Sequence, residues 1–235
     1  MKKIAAHLAL AVSLCCSMGV ASAASATSSW QDVSKWPDFT GGLWTAPNAD
    51  GAPHAEDLPL KPQAQAAIRQ AMGRFMAGAA GGTCIPRSMP RHLGNQFIYS
   101  RGMIVILGTP DYYMVVRRVY MDGRAHGNPE PTYFGHSIGH WDQDTLVIDT
   151  VGFLPDAQLT DGIAGQGQTH IVERYRLLAP GKLELKLTVE NPAVLTTAWT
   201  GTRVYTLEKG EDTPEAYCTN NRDLAGGVDL QPPAQ

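Results

Sequence analysis

The chain has 235 residues, of which 43% are hydrophobic and 17% charged, and its 19 Lys and Arg against 22 Asp and Glu give a formal net charge of -3. This composition is typical of a globular protein and excludes a coiled coil, a collagen and an intrinsically disordered chain. Because no basic run occurs, the sequence also lacks the electrostatic pattern of a protein that binds nucleic acid or an anionic membrane.

The first 23 residues have the pattern of a secretory signal peptide. Lys2 and Lys3 precede an apolar stretch over residues 4–20, and the small residues Ala21 and Ala23 follow it. The apolar stretch is shorter than the roughly 20 residues that span a bilayer, which disfavours a membrane anchor. We therefore expect cleavage after Ala23, export to the periplasm and no membrane span.

Residues 24–60 form a lead-in segment that is rich in Ser, Ala, Pro and Gly. It carries Trp30, Trp36 and Trp44, and exposed tryptophan is unfavourable in water. We therefore expect this segment to dock on the domain formed by residues 61–235.

One amphipathic helix is predicted at the start of that domain. Pro62 suits the first turn of a helix. From Ala64 to Phe75, apolar residues recur at intervals of three and four, and Gly78 follows them. This pattern predicts a helix that packs on the main core.

Two cysteines remain after cleavage, Cys84 and Cys218. In an oxidising compartment, a pair without CxxC spacing favours a structural disulfide over a metal site or a redox couple. Closing so long a loop stabilises a fold by about 4 to 5 kcal/mol in the chain-entropy model. We predict a Cys84–Cys218 disulfide.

From residue 96 onward the hydrophobic period changes to two, and turn signals recur about every 8 to 12 residues, as in an antiparallel sandwich or barrel. Eight strands are predicted, at 96–100, 103–107, 112–120, 134–141, 145–152, 170–178, 182–190 and 200–207. The turns at Asp122-Gly123 and Pro180-Gly181 favour neighbouring strands that follow one another along the chain. We therefore predict a mainly β, antiparallel, eight-stranded up-and-down barrel of lipocalin or calycin type, with one N-terminal helix.

Several motifs are recognisable in this region. They are CIPRSMPR (84–91), YMDGRAH (120–126), PTYFGHSIGHW (131–141), DTLVIDTVGF (144–153) and HIVERY (170–175). Over residues 61–223 the chain resembles a family of uncharacterised exported bacterial proteins. The resemblance implies export and a lipocalin-like barrel, and it implies no reaction. The chain departs from the family pattern at Gln143, where the family has Gly, and at Gly165-Gln166, where it has His-Ser.

The segment with the most candidate catalytic side chains is residues 135–150. A two-residue turn at Asp142-Gln143 would place His136 directly opposite Asp149 on adjacent strands. In that geometry a carboxylate orients an imidazole and leaves its second nitrogen for acid or base work. His136 and Asp149 are therefore candidate catalytic residues, with His170 as a third.

Two other interpretations of these histidines stay open. The His136–Asp149 pair can be a structural hydrogen bond on an outward face, because Trp141 and Leu146 favour the opposite face as the core side. A metal site formed by His136, His140 and His170 is disfavoured, since residues four apart in a strand lie roughly 13 Å apart. We predict no metal and no cofactor.

Candidate substrate-binding residues surround this segment: Arg118, Tyr120, His140, Glu173 and Arg174. Arg118 beside Tyr120 suits a carboxylate or phenolate ligand. Glu173 and Arg174 lie on opposite faces of one strand, where an Arg–Glu ladder between strands is the structural alternative.

The function predicted from these features is a periplasmic protein that holds a small apolar or aromatic molecule in the barrel interior. GxSxG, P-loop and GxGxxG motifs are absent from the sequence, which favours cofactor-independent acid/base chemistry by a lyase, isomerase or hydrolase. A non-catalytic ligand carrier of the cell envelope is the alternative, and a structural envelope protein without a pocket is a third class. Ligand identity and oligomeric state stay open.

Overall fold

The computed structural model describes residues 30–46, 57–67, 69, 94–109, 115–160 and 163–214. These residues include a short helix, α1 (Trp30–Val33), and eleven strands. The strands are β1 (Gly42–Thr45), β2 (Gly94–Ser100), β3 (Met103–Thr109), β4 (Val115–Tyr120), β5 (His136–Asp142), β6 (Thr145–Val151), β7 (Gln158–Thr160), β8 (Ile163–Ala164), β9 (His170–Ala179), β10 (Lys182–Glu190) and β11 (Trp199–Lys209).

Nine of these strands close into a barrel in the order β1-β11-β10-β9-β6-β5-β4-β3-β2, and β7 pairs with β8 in a separate hairpin. Within the barrel, β4 and β5 are parallel, and the other neighbours are antiparallel. A closed ring with an odd number of strands cannot alternate in direction throughout, so one parallel pair is required. The prediction of a mainly β barrel is confirmed, whereas eight strands and a wholly antiparallel, up-and-down arrangement are wrong.

The ninth strand is β1, which lies in the Trp-containing lead-in. Its four residues, GLWT, are too few to show an alternating pattern. Trp44 is nevertheless only 1% exposed, because β1 pairs with β11 on one side and with β2 on the other. The lead-in therefore contributes one strand to the barrel.

Residues just before β1 pack against one end of the barrel. The ring of Phe39 lies 5.4 Å from the rings of both Phe97 and Trp141, at edge-on angles. The hydroxyl of Tyr99 donates to the carbonyl of Pro37 at 2.6 Å and accepts the amide of Phe39 at 3.1 Å. Aromatic packing and hydrogen bonds thus hold the lead-in on the core.

The interior of the described barrel is filled by side chains. On β10, Leu183, Leu185, Leu187 and Val189 point inward and are at most 5% exposed, and the residues between them are more exposed. This confirms the alternation that the sequence predicts for this strand.

Three other predictions concern segments that lie wholly or partly outside the described residues. Residues 62–67 and 69 are helical and Ala64 is buried, but the rest of the predicted helix lies outside the described residues. The helix as a whole therefore stays a prediction. The signal peptide and the Cys84–Cys218 disulfide also lie outside the described residues.

Candidate functional site

A cleft opens in the barrel wall between β4 and β5. Among the described residues, these parallel strands pair through Val119–Ser137 and Tyr120–Ile138, and the connection over residues 121–135 passes between their ends. The cleft has a volume of about 460 Å³, and its lining includes Arg118, Tyr120, His126, Glu130, Phe134 and His136. The structure therefore brings three predicted site residues, Arg118, Tyr120 and His136, into one cavity.

The residues that carry the candidate chemistry lie on the outer face of the barrel. Side chains alternate along a strand, so on β4 Arg117 is buried and Arg118 exposed. On β5, Ser137 is buried and His136 is half-buried on the outer side. Leu146, on the opposite face of the hairpin from His136, is fully buried. This burial agrees with the interpretation that the face carrying Trp141 and Leu146 is the core side.

The hairpin between β5 and β6 turns one residue later than predicted. Asp142 pairs with Thr145, so the turn residues are Gln143 and Asp144. Gln143 has a φ of 57°, in the left-handed region. Hairpin turns of this kind favour glycine at a position with positive φ, and the chain has glutamine there.

This later turn changes the pairing of the candidate dyad. His136 pairs with Val151, and Asp149 pairs with Ile138. The predicted direct pairing of His136 with Asp149 is therefore wrong. Because the register differs by two residues, an even number, both side chains keep the same face and become diagonal neighbours.

His126 bridges the gap between these two side chains. Its Nδ1 lies 2.8 Å from Nδ1 of His136, and its Nε2 lies 3.1 Å from Oδ1 of Asp149. The same carboxylate oxygen lies 3.1 Å from Nε2 of His170, whose Nδ1 lies 3.0 Å from Oε2 of Glu190. We call these five residues the histidine chain; it runs from the cleft across β6 and β9 to β10.

Hydrogen-bond chemistry assigns the tautomers near the cleft. An ionised carboxylate only accepts, so Nε2–H of His126 donates to Asp149. When His126 carries only this one ring proton, its Nδ1 has a lone pair, which accepts Nδ1–H of His136. Nε2 of His136 is left unprotonated, which is the form of a general base.

At the other end of the histidine chain, His170 lies between two carboxylates. Both ring nitrogens of His170 face carboxylate oxygens, of Asp149 and of Glu190. When the ring carries both protons, each of its nitrogens donates to one carboxylate. Asp149 thus lies between the imidazole rings of His126 and His170.

Three neighbours set the environment of His136. Partial burial lowers its pKa below the ordinary value of 6.5, and the nearby His126 and Arg124 lower the pKa further. The ring of Tyr120 stacks on His136 with centroids 5.3 Å apart, and the guanidinium carbon of Arg124 lies 3.9 Å from the Tyr120 centroid. The neutral imidazole is therefore the dominant form at neutral pH.

Arg124 is itself held by Asp122. Nη2 of Arg124 lies 2.5 Å from Oδ2 of Asp122, and Nε lies 2.9 Å from Oδ1. The hydrogen bond from Arg124 lowers the pKa of the Asp122 carboxyl. This bidentate pair positions a cation beside the Tyr120 and His136 rings.

Glu173, predicted among the substrate-binding residues, lies in the barrel interior. It is 2% exposed, forms an ion pair with Arg117 at 2.5 Å, and accepts the hydroxyl of Tyr175 at 2.9 Å. Arg117 also donates to Ser137 at 2.9 Å and to Thr150 at 2.7 Å. These contacts match the structural alternative of an Arg–Glu pair between strands.

Two further predicted residues lie on the outer surface away from the cleft lining. Arg174 donates to Asp142 at 2.6 Å, and His140 is exposed on β5. His170 belongs to the histidine chain but not to the cleft lining. Among the described residues, no group of three or more His, Cys, Asp and Glu is placed to hold a metal ion.

Sequence reasoning missed His126 as a site residue. It lies in the YMDGRAH motif, so the motif marked it, but it belongs to an irregular connection whose path no periodicity predicts. Glu190 was also missed, because the end of a regular alternating strand gives no signal of a contact with the neighbouring strand.

The fold and the site together define a mainly β, closed-barrel protein with a histidine-containing cleft in its wall. No family model matches the chain, and no curated protein matches it. In the part of the chain that is described, no helix is long and apolar enough to cross a membrane.

Proposed function

We propose that this protein binds a small molecule in the cleft and carries out cofactor-independent acid/base chemistry on it, with His136 as the base. The observation that carries this proposal is the hydrogen-bond sequence Asp149–His126–His136. It leaves a neutral imidazole, with one unprotonated nitrogen, in a cavity of about 460 Å³. The lowered pKa of His136 keeps that nitrogen available at neutral pH.

The proposed step is a proton transfer to Nε2 of His136. As that nitrogen gains the proton, the charge on His136 is stabilised through Nδ1–H, which donates to His126, and through the carboxylate of Asp149 behind it. Returning the proton to a different substrate atom gives an isomerisation, returning it to a leaving group gives an elimination, and taking it from water gives a hydrolysis. Asp149 acts in each case as a positioning residue, through His126.

The lining of the cleft supports a ligand with an apolar or aromatic body. Tyr120 and Phe134 contribute aromatic surface to the cleft, whereas the interior of the described barrel is filled by its own side chains. These observations support a ligand site in the barrel wall rather than on the barrel axis. The signal-peptide pattern supports the periplasm as the compartment.

The test uses the exported form of the chain. Ligand captured from a periplasmic extract is identified by mass spectrometry and incubated with wild type, His136→Ala and Asp149→Asn over a pH series. We expect His136→Ala to lose about 10²- to 10⁴-fold in rate with affinity largely kept, and Asp149→Asn to lose less. His140→Ala, a change of an exposed histidine on the same strand and face, is the matched control and should keep the wild-type rate.

Two results contradict the proposal in different ways. Ligand recovered unchanged from wild type at every pH removes the enzyme and leaves the alternative of a non-catalytic carrier. An unaltered rate in His136→Ala removes the role assigned to that residue.

A further inference from the structure

Two consecutive arginines of β4 have opposite environments. Arg117 is buried and contacts Glu173, Ser137 and Thr150 through Nε and Nη2, although it also contributes to the cleft lining. Arg118 points outward into the cleft and makes no ion pair or hydrogen bond with another described residue. The cleft therefore holds a guanidinium whose donors are available to a bound molecule.

Arg118 and the proposed base line the same cleft from adjacent strands. The parallel register pairs Val119 with Ser137 and Tyr120 with Ile138. One step back along the same register brings Arg118 level with His136, at the point where the two strands separate. Both side chains belong to the outer face and line the same cavity, so a molecule in the cleft can contact both.

We propose that the molecule bound in the cleft carries an anionic oxygen group, a carboxylate or phenolate, and that Arg118 binds this group. The planar guanidinium donates two parallel hydrogen bonds to such a group and remains charged at all relevant pH values. Arg118 is then the specificity-determining residue of the site. The choice of an anion over a cation, and the position of the reacting atom next to His136, rest on the proposed function.

The competing charge in the cleft is Glu130, which is exposed on the connection between β4 and β5. A cationic ligand would use Glu130 instead of Arg118. The observations favour the anion, because proton removal by His136 leaves negative charge on the substrate. A cation opposite the base stabilises that charge, whereas a carboxylate opposes it.

The experiment titrates the exported protein with three probes of one shape: benzoate, neutral benzamide and cationic benzylamine. Calorimetry gives the affinity, and the imidazole NMR resonances of His136 report occupancy of the cleft. We expect saturable binding of benzoate that is stronger than binding of benzamide or benzylamine. Arg118→Gln should weaken benzoate about 10- to 100-fold and leave benzamide unchanged. Arg174→Gln, which changes an exposed arginine outside the cleft lining, is the control and should match wild type.

Several results would overturn the anion site. They are an affinity for benzamide equal to that for benzoate, stronger binding of benzylamine, no saturable binding of benzoate, and an unchanged benzoate affinity in Arg118→Gln. Failure of the proposed chemistry is a separate outcome. Benzoate binding that depends on Arg118, combined with no turnover of the captured ligand, removes the enzyme and retains the anion site.

Discussion

In the proposed function, Asp149 acts on His136 through the imidazole of His126. Its Oδ1 lies 3.1 Å from a ring nitrogen of both His126 and His170, so the carboxylate is held between two rings, and the proposed base is a third. This arrangement separates the orienting charge from the base by one residue. Loss of His126 should therefore disturb His136 at least as much as loss of Asp149.

The titration of His136 is the first property to measure. Burial, His126 and Arg124 all lower its pKa, so we expect an NMR midpoint below 6.5 in wild type. Arg124→Gln removes one cause and should raise the midpoint. Arg174→Gln should leave it in place, and a wild-type midpoint at or above 6.5 would contradict this account.

The same pKa shift gives stability a pH dependence. Since the folded state holds the proton less tightly than the unfolded chain, His136 favours folding above about pH 6.5, and this contribution is lost as the pH falls through the lower folded-state pKa. We expect urea unfolding of wild type and His136→Gln to show wild type losing more stability between pH 7.5 and pH 5. Equal losses in the two proteins would be inconsistent with a lowered pKa.

Gln143 adopts a conformation that suits glycine. Its φ of 57° costs a residue with a side chain about 1 kcal/mol or more. We expect Gln143→Gly to raise the free energy of unfolding by about 0.5 to 1 kcal/mol, measured by urea denaturation. Asp144→Gly, at the second turn position, lacks this benefit and should be neutral or destabilising.

At the scale of elements, the cleft depends on how β5 approaches β4. A Cβ built on Gly139 would lie 2.7 Å from Sδ of Met121 and 2.7 Å from Cγ1 of Val119. Contacts this short require a neighbour to move, and Val119 is fully buried. The glycine therefore permits the two strands to pair beside the cleft.

Substitution of Gly139 tests this approach. We expect Gly139→Ala to lower the free energy of unfolding by about 1 to 3 kcal/mol and to shift the NMR resonances of His136. The double variant Gly139→Ala with Val119→Ala removes the closest buried neighbour and should recover these resonances in part. Unchanged stability in the single variant would show that the contact between β4 and β5 accommodates a side chain at this position.

The hairpin of β5 and β6 shows which features the hydrophobic alternation predicts and which it does not. The alternation of polar and apolar residues correctly placed His136 and Asp149 on one face. Their register depends on a single turn, and the turn begins at Gln143, a residue type that is unusual at positive φ. The predicted pairing of these strands therefore differs from the observed pairing by two residues, whereas the shared face of His136 and Asp149 is predicted correctly.

At the scale of the whole molecule, the barrel surrounds a buried ion pair. Glu173 and Arg117 are 2% and 3% exposed, and burial raises the pKa of the adjoining Tyr175, with Glu173 raising it further. An ion pair in this setting stabilises a fold only while both partners are present. It also joins β9 to β4 across the barrel, below the cleft.

A double-mutant cycle measures this coupling. Glu173→Leu should lower the free energy of unfolding by about 3 to 5 kcal/mol, because Arg117 is left as an uncompensated buried charge. Arg117→Met combined with Glu173→Leu should lose less than the sum of the two single variants. Additive losses measured by urea denaturation would show that the pair is not coupled.

By itself, the sequence determined the β class, the approximate positions of eight strands and which side chains of a strand share a face, because hydrophobic alternation is a local property of each strand. Tertiary structure decided the ninth strand, the parallel pair and the histidine chain. The short β1 closes the barrel because it pairs with β11 and β2, and these neighbouring strands bury it. His126 reaches His136 and Asp149 only through the path of an irregular connection. Contacts of that kind join residues that are distant along the chain, and no local pattern encodes them.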